Sequence, residues 1–379
     1  MNAMSPTSKK YGAGLPLYTA FFALILLISS CGENGKGETS RRPETRSAGP
    51  SIRIAMQSET PVLYGDTLYM EVRSGDTALA ITEVSIGAVG FRGDFLTTTD
   101  ETAAIPTAIV GGGDMRLRIT AKFDDGQTAS RYKEVNILAP EPPKDMQLGV
   151  VRKYDHDVND FTQGFIVHDG HVIEGTGQYG QSRIKKWDLT TGEVLMEQPL
   201  AREYFGEGIA VFGDKLYQLT YKASRAFVYD VETFERVETH TYATETGEGW
   251  GLTANDTSLI MSDGSSWIYY FDPHSFREIH RVNVFDDRGS VEWVNELEFH
   301  NGLIYANVYT QNYILAIDPV SGRVVERISA AGIMDRSEAT AGMDVFNGIA
   351  VHPETGNLLV TGKYWTKVYE VRVLPSMQP

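Results

Sequence analysis

The chain has 379 residues, 42% of them hydrophobic, a single cysteine, and 34 basic against 50 acidic side chains, for a net charge of −16. Such an acidic surface repels nucleic acid and anionic lipid headgroups, so neither is a partner through charge. One cysteine excludes a disulfide framework and a thiolate metal site, and the length allows two packed domains.

Residues 1–30 read as an export signal. Lys9 and Lys10 give a positive start, and residues 15–28 are mostly apolar but too short to span a bilayer comfortably. The stretch ends in Ile28-Ser29-Ser30-Cys31, small residues directly before the only cysteine. This resembles the lipobox of bacterial lipoproteins, in which the cysteine is acylated and becomes the new N-terminus. The alternative is an ordinary secretory signal with an incidental cysteine. Lipidation at Cys31 implies an exported protein held by its acyl anchor alone, periplasmic or at the cell surface. Gly32 carries no inner-membrane retention signal, which points to the outer membrane. Removal of the two lysines of residues 1–30 takes the charge to −18. Residues 31–50 hold almost no apolar side chains and cannot offset the entropy of ordering, so a flexible tether is expected.

Residues 51–138 alternate apolar and polar side chains in short runs: SIRIAM, TLYMEVRS, AITEVSIG, MRLRITAKF and RYKEVNIL. Turn residues separate them, and the pattern predicts a small β-sandwich of immunoglobulin-like type, without the Cys…Trp…Cys signature. It carries no recognisable chemistry and reads as a stalk or packing module. Ala139-Pro140-Glu141-Pro142-Pro143 marks a stiff, Pro-rich linker over 139–147.

From 148 to 375 the chain repeats. A strand, an aspartate, a turn and a second strand recur as KKWDLTTGEVLME, FVYDVETFERVET, YYFDPHSFREIHR and LAIDPVSGRVVER. The aspartates are Asp188, Asp230, Asp272 and Asp318, spaced 42, 42 and 46 residues apart, and TKVYEVRVLP resembles a fifth copy without its turn. A β-hairpin precedes each unit, giving four strands per repeat. The prediction is an all-β protein: a five-bladed β-propeller over 148–375, after the sandwich. Residues 148–154 are the spare strand that would close the ring and remove its exposed edges.

Aligning the hairpins sets Gln163-Gly164, Glu207-Gly208, Trp250-Gly251, Asn295-Glu296 and Asn347-Gly348 in one column. First strands of propeller blades line the central channel, so these residues are expected around one mouth. Thr176, Tyr221, Asp263, Tyr309 and Lys363, at the ends of the next strands, form a second ring. The glycines fit close strand packing. Packing does not call for Glu207, Trp250 or Lys363, and polar groups converging between aromatic walls suit a ligand pocket.

FTQGF, EGTGQYGQS, YFGEGIAVFGDKLYQLTYK, GEGWGLT, LIMSDGS, NELE, IYANVY, FNGIAV and VTGKYW, in that order, resemble the plant-type glutaminyl-peptide cyclotransferases and their bacterial relatives over 148–375. The resemblance implies cyclisation of N-terminal glutamine in peptides or proteins to pyroglutamate, with release of ammonia. The substrate's own amine is then the nucleophile, and the enzyme supplies acid–base catalysis. The family's acid–base residue matches Glu207, the only carboxylate preceding a glycine in the column. By the same matching, Lys363 orients Glu207 or stabilises the oxyanion. Trp250, Phe161 and Phe205 wall the pocket, with Gln163, Asn295 and Asn347 as polar lining. Tyr221 and Tyr309 stand where the family usually has tryptophan, which bears on pocket shape. No cofactor is required, although the resemblance allows a structural calcium ion on channel carbonyls.

No metal is expected from the histidines. His168 and His171 face each other across the Asp169-Gly170 turn, and the others show no ligand spacing. Two further readings stand beside the enzyme: a non-catalytic peptide- or glycan-binding propeller, and a structural surface lipoprotein.

Overall fold

A computed structural model describes residues 49–58 and 61–376. The export signal, Cys31 and most of the tether lie outside the described residues.

The strand Gly113–Phe123 buries every second residue, among them Met115, Leu117, Ile119, Ala121 and Phe123, and turns Asp114, Arg116 and Lys122 outward. That period-two pattern makes one face of a sheet apolar and obliges it to pack on another. The partner is a three-stranded antiparallel sheet of Ile52–Met56, Thr67–Ser74 and Thr102–Pro106, whose Leu68, Met70 and Val72 point inward. Five strands form the other sheet, in the order Val62–Leu63, Thr128–Leu138, Gly113–Phe123, Ile81–Ala88 and Leu96–Thr98. One apolar core lies between the two sheets. All five strands expected from alternation are present. Val62–Leu63, Leu96–Thr98, Thr102–Pro106 and the helical turn Thr107–Val110 are additional, and three of these four are too short or too polar to show a period.

This part is not a detached stalk. Phe285 is fully buried against Tyr64, with ring centroids 5.3 Å apart, and a Cβ added to Gly112 would lie 2.2 Å from the Phe285 ring. The Ala139 N–H donates to the Asp286 carbonyl at 3.0 Å, and the Asp114 N–H donates to Ser290 Oγ at 2.8 Å. All these contacts use a small hairpin of Phe285–Asp286 and Gly289–Ser290, an insertion outside the repeat.

Beyond residue 143 the first three repeats each fold as an antiparallel four-stranded sheet. Thr162–His168, His171–Thr176, Arg183–Trp187 and Val194–Pro199 make the first. Gly206–Phe212, Lys215–Thr220, Arg225–Asp230 and Arg236–Thr241 make the second, and Leu252–Ala254, Leu259–Ser262, Trp267–Phe271 and Glu278–Asn283 the third. The repeated aspartates explain themselves as turn residues. Asp188 and Asp230 each accept two backbone N–H bonds and a threonine hydroxyl through one carboxylate oxygen, closing the link between third and fourth strands.

The remaining strands form one eight-stranded sheet. Val294–His300, Leu303–Val308, Tyr313–Ile317 and Val324–Ser329 lie on one side; Lys367–Pro375, Leu358–Gly362 and Phe346–Val351 lie on the other. Between them runs Lys144–Asp155, antiparallel to Lys367–Pro375 and parallel to Val324–Ser329 over Lys144–Gln147. The expected closing strand is therefore present, and it begins four residues earlier than 148. The first strands of successive sheets touch one another in turn, and Phe346–Val351 touches Thr162–His168, so the circuit closes. The architecture is all-β and propeller-like.

Candidate active site

The site begins with a backbone irregularity. In four repeats the pairing of first and second strands slips at the same place: between Thr162 and Gly164, Gly206 and Ile209, Val294 and Leu297, and Phe346 and Ile349. The residues inside these bulges include Gln163, Glu207, Asn295 and Asn347, the polar column of the repeats. A β-bulge re-aims the side chains it carries, which is how a strand end serves a pocket. Trp250 holds the matching place ahead of Leu252–Ala254, its N–H donating to the Ser262 carbonyl at 3.0 Å.

The glycines of the column are packing residues. A Cβ on Gly164 would lie 2.5 Å from the Ile209 nitrogen, on Gly208 2.4 Å from the Leu252 nitrogen, and on Gly251 2.0 Å from the Asn295 carbonyl oxygen. Each contact is with the first strand of the next sheet. Glu296 takes the glycine's place in the fourth repeat. Its carboxyl is buried and accepts the Phe165 N–H at 3.3 Å and the Ile349 N–H at 2.8 Å, tying the first strands of three repeats together. Burial pushes its pKa well above the usual carboxylate range.

The mouth opens into a cavity of about 270 Å³ lined by Phe161, Gln163, Gln178, Phe205, Glu207, Tyr221, Trp250, Trp293, Asn295, Tyr309 and Lys363. Nine of these residues were legible in the sequence. Asn347 is the exception: it is fully buried behind the lining, and its Nδ2 donates to the Thr162 carbonyl at 2.9 Å. It braces the Gln163 bulge and is not part of the cavity lining. In the second ring, Gly177 replaces Thr176 as the true counterpart of Tyr221, Tyr309 and Lys363. The N–H groups of these four donate to the carbonyls of Phe161, Phe205, Trp293 and Val345 respectively, at 2.8–3.0 Å. A side chain at 177 would strike the rings of Phe205 and Phe161, at 2.4 and 2.9 Å. Asp263 turns away, bonded by Ser265, Thr246 and the Tyr269 hydroxyl.

Two lining residues escaped the sequence reading. Trp293 stands two places before Asn295, as Phe161 and Phe205 stand before Gln163 and Glu207, so the repeat column itself was the missed signal. Gln178 follows Gly177 with a left-handed backbone, φ 86°, which no sequence pattern marks for a glutamine.

Aromatic rings make the walls. Phe161 and Phe205 meet edge to face at 5.9 Å, Phe205 meets Tyr221 at 5.7 Å, and Trp250 meets Tyr309 at 5.6 Å. Lys363 lies between two of them, its Nζ 4.6 Å from the Phe161 ring centroid and 5.5 Å from that of Tyr309. Trp250 Nε1 donates to Glu248 at 3.0 Å, and Glu248 pairs with Lys222 at 3.5 Å.

Glu207 and Lys363 are each 4% exposed. Burial pushes the Glu207 carboxyl well above its ordinary value; the Lys363 charge opposes this and the Glu248 charge adds to it. Burial lowers Lys363, against the pull of Glu207 and Asp344. The two groups therefore feel each other across the cavity: burial disfavours the charged form of each, and the charge of each favours ionisation of the other.

His156, Asp160 and Glu174 bring three potential metal ligands together below Phe161, a grouping that spacing in the sequence did not disclose. A protein cation already occupies the centre. Lys185 pairs with Asp160 and, at 3.4 Å, with Glu174, while Arg183 donates to Asp160 at 2.6 Å. The cluster is an ionic network, and the Asp160 carbonyl accepts the Tyr364 N–H at 2.7 Å, one residue from Lys363 of the cavity lining.

Fold and site together define a propeller-type enzyme with one carboxyl and one lysine in an aromatic-walled mouth. Residues 123–373 match the family model described as Glutamine cyclotransferase. The glutaminyl-peptide cyclotransferase of Arabidopsis thaliana is 32% identical over 232 residues, covering 60% of this chain and 71% of its own. The crystal structure of Myxococcus xanthus glutaminyl cyclase is matched over 62% of this chain and 100% of that one, at 35% identity and a TM-score of 0.55. The chain belongs to the glutamine cyclotransferase family.

Proposed function

We propose that Glu207 is the acid–base residue of this glutaminyl-peptide cyclotransferase and that Lys363 is its electrostatic partner. The enzyme converts an N-terminal glutamine of a peptide or protein to pyroglutamate. The α-amine nitrogen attacks the side-chain amide carbon, and the tetrahedral intermediate forms as the carboxylate of Glu207 takes an amine proton. The carbon–nitrogen bond to the amide nitrogen then breaks, Glu207 returns the proton, and ammonia leaves. Lys363 faces the negative charge that develops on the amide oxygen. Gln163 and Asn295 offer amides to the substrate's polar groups, and Phe161, Phe205, Tyr221, Trp250 and Tyr309 hold its carbon chain and exclude water.

The observation that carries this reading is that, among the described residues, Glu207 is the only carboxylate lining the cavity, and burial raises its pKa. Glu207→Gln should lower ammonia release from a glutaminyl dipeptide about 10²-fold or more with the fold intact. A wild-type rate in that variant removes Glu207 from the chemistry.

The finer architectural reading is five blades over 148–375, an immunoglobulin-like sandwich over 51–138 and a boundary at 139–147. It is supported by the closed circuit of five first strands and by two sheets sharing one core. The reading uses no redox cofactor and no catalytic metal. A structural calcium ion on channel carbonyls stays within it but enters no step. At the mouth the carbonyls of Thr162, Trp250 and Asn295 already accept Asn347 Nδ2, the Gly208 N–H and Ser262 Oγ. Export and acylation at Cys31, with an outer-membrane location facing the periplasm or the cell surface, rest on the sequence. Labelled palmitate should enter the wild-type protein and not Cys31→Ser; equal labelling of both refutes the anchor.

A further inference from the structure

Trp293 stands apart from the rest of the pocket lining in its exposure, and it shares an unusual backbone only with Gln178 among the described lining residues. Its backbone is left-handed, φ 67°, a conformation that bulky residues rarely adopt and that persists where the surroundings impose it. It is also 53% exposed, although its repeat counterpart Phe161 is half-buried and Glu207 of the same lining is nearly covered. Its ring lies 6.1 Å from Trp250 and 6.2 Å from Tyr309, so the aromatic wall runs without a break from the cavity to the surface.

The reaction fixes what must pass over this rim. The amine and the side-chain amide of the glutamine both have to reach Glu207, so the chain leaves the cavity through the glutamine's own carbonyl. A cavity of about 270 Å³ lies at the lower edge of small-ligand pockets, which run from ~300 Å³ upward, and holds one residue. The second residue of the substrate therefore lies outside it, at the mouth.

We propose that Trp293 is the platform for the side chain of that second residue and that it makes the enzyme favour aromatic and large apolar residues there. The proposal rests on the assignment of the reaction to the Glu207 cavity. A flat indole held at a fixed angle offers a face to a ring or a branched chain at little entropic cost, and offers nothing to glycine.

The test compares kcat/KM for Gln-Phe-amide, Gln-Leu-amide and Gln-Gly-amide in the wild type, Trp293→Ala and Trp293→Gly. Glycine suits a left-handed backbone, so the second variant keeps the fold even where alanine strains it. The wild type should prefer Phe over Gly by about fivefold to tenfold, expressed in KM, and both variants should bring the ratio close to one. Absence of a preference in the wild type overturns the proposal. So does an equal loss for all three substrates in the variants, which would make Trp293 a general wall of the pocket. Glu207→Gln on Gln-Gly-amide separates the two levels. Full activity there sinks the site assignment itself, whereas an inactive Glu207→Gln with an unchanged Phe/Gly ratio in Trp293→Gly sinks the platform alone.

Discussion

Three influences act on the carboxyl of Glu207, and each predicts its own shift. Burial and the Glu248 charge raise its pKa, and the Lys363 charge lowers it. As the proposed base Glu207 must be ionised in the free enzyme, so kcat/KM should rise with pH through its raised pKa, above the ordinary carboxylate value of ~4.3. Lys363→Met removes the charge that favours ionisation, so the acid limb should move to higher pH. Glu248→Gln removes a charge that opposes ionisation, so the limb should move to lower pH. The second shift should be smaller and fade with added salt, because Glu248 is partly exposed and already paired with Lys222. The substrate's amine also titrates, so the profiles must be compared between variants on one dipeptide. Shifts of the same sign in both variants contradict the assignment. At this scale the sequence disclosed Glu207, Lys363 and Trp250 because their types are wasteful in a packed strand. It could not disclose Gln178, whose role comes from a turn conformation, nor the backward-facing Asn347.

At the scale of the element, the recurrent bulge does the positioning. A regular strand would send neighbouring side chains to opposite faces. The slip at Gly206/Ile209 instead lets Glu207 face the mouth while Gly208 packs against the next sheet. Gly208→Ala should therefore be costly, since its Cβ would meet backbone atoms at 2.4 and 2.6 Å that cannot yield without moving a strand. The expected loss is ~1–3 kcal/mol of stability, read from the denaturant midpoint, with a fall in activity because the bulge must shift. An unchanged midpoint would mean that the strands separate more easily than this packing implies. The repeat column was legible because four of its five members carry the same glycine. Glu296 stands in the glycine's place in the remaining member, and its role was not legible, since its two backbone partners come from strands far away in sequence.

At the scale of the whole molecule, closure depends on Lys144–Asp155. The strand pairs with Lys367–Pro375 along its length and with Val324–Ser329 at its start. A chain beginning at residue 156 exposes the edges of both, and unpaired edges of that length invite association. It should be recovered as aggregates by size-exclusion chromatography. A monomer with the full-length melting temperature would show that the ring closes without this strand. The N-terminal sheets are bound to the same assembly through Phe285 and Tyr64, so the prolines of 139–147 do not leave them free as a stalk. The sequence by itself determined the strand content, the repeat and most of the mouth, because period-two burial and turn aspartates are local requirements that every repeat must meet. Only the tertiary structure decided which polar residues face the cavity, the place of Trp293 at its rim, and the docking of the first sheets through an inserted hairpin. Those depend on bulges, left-handed turns and contacts between distant strands, which no local pattern encodes.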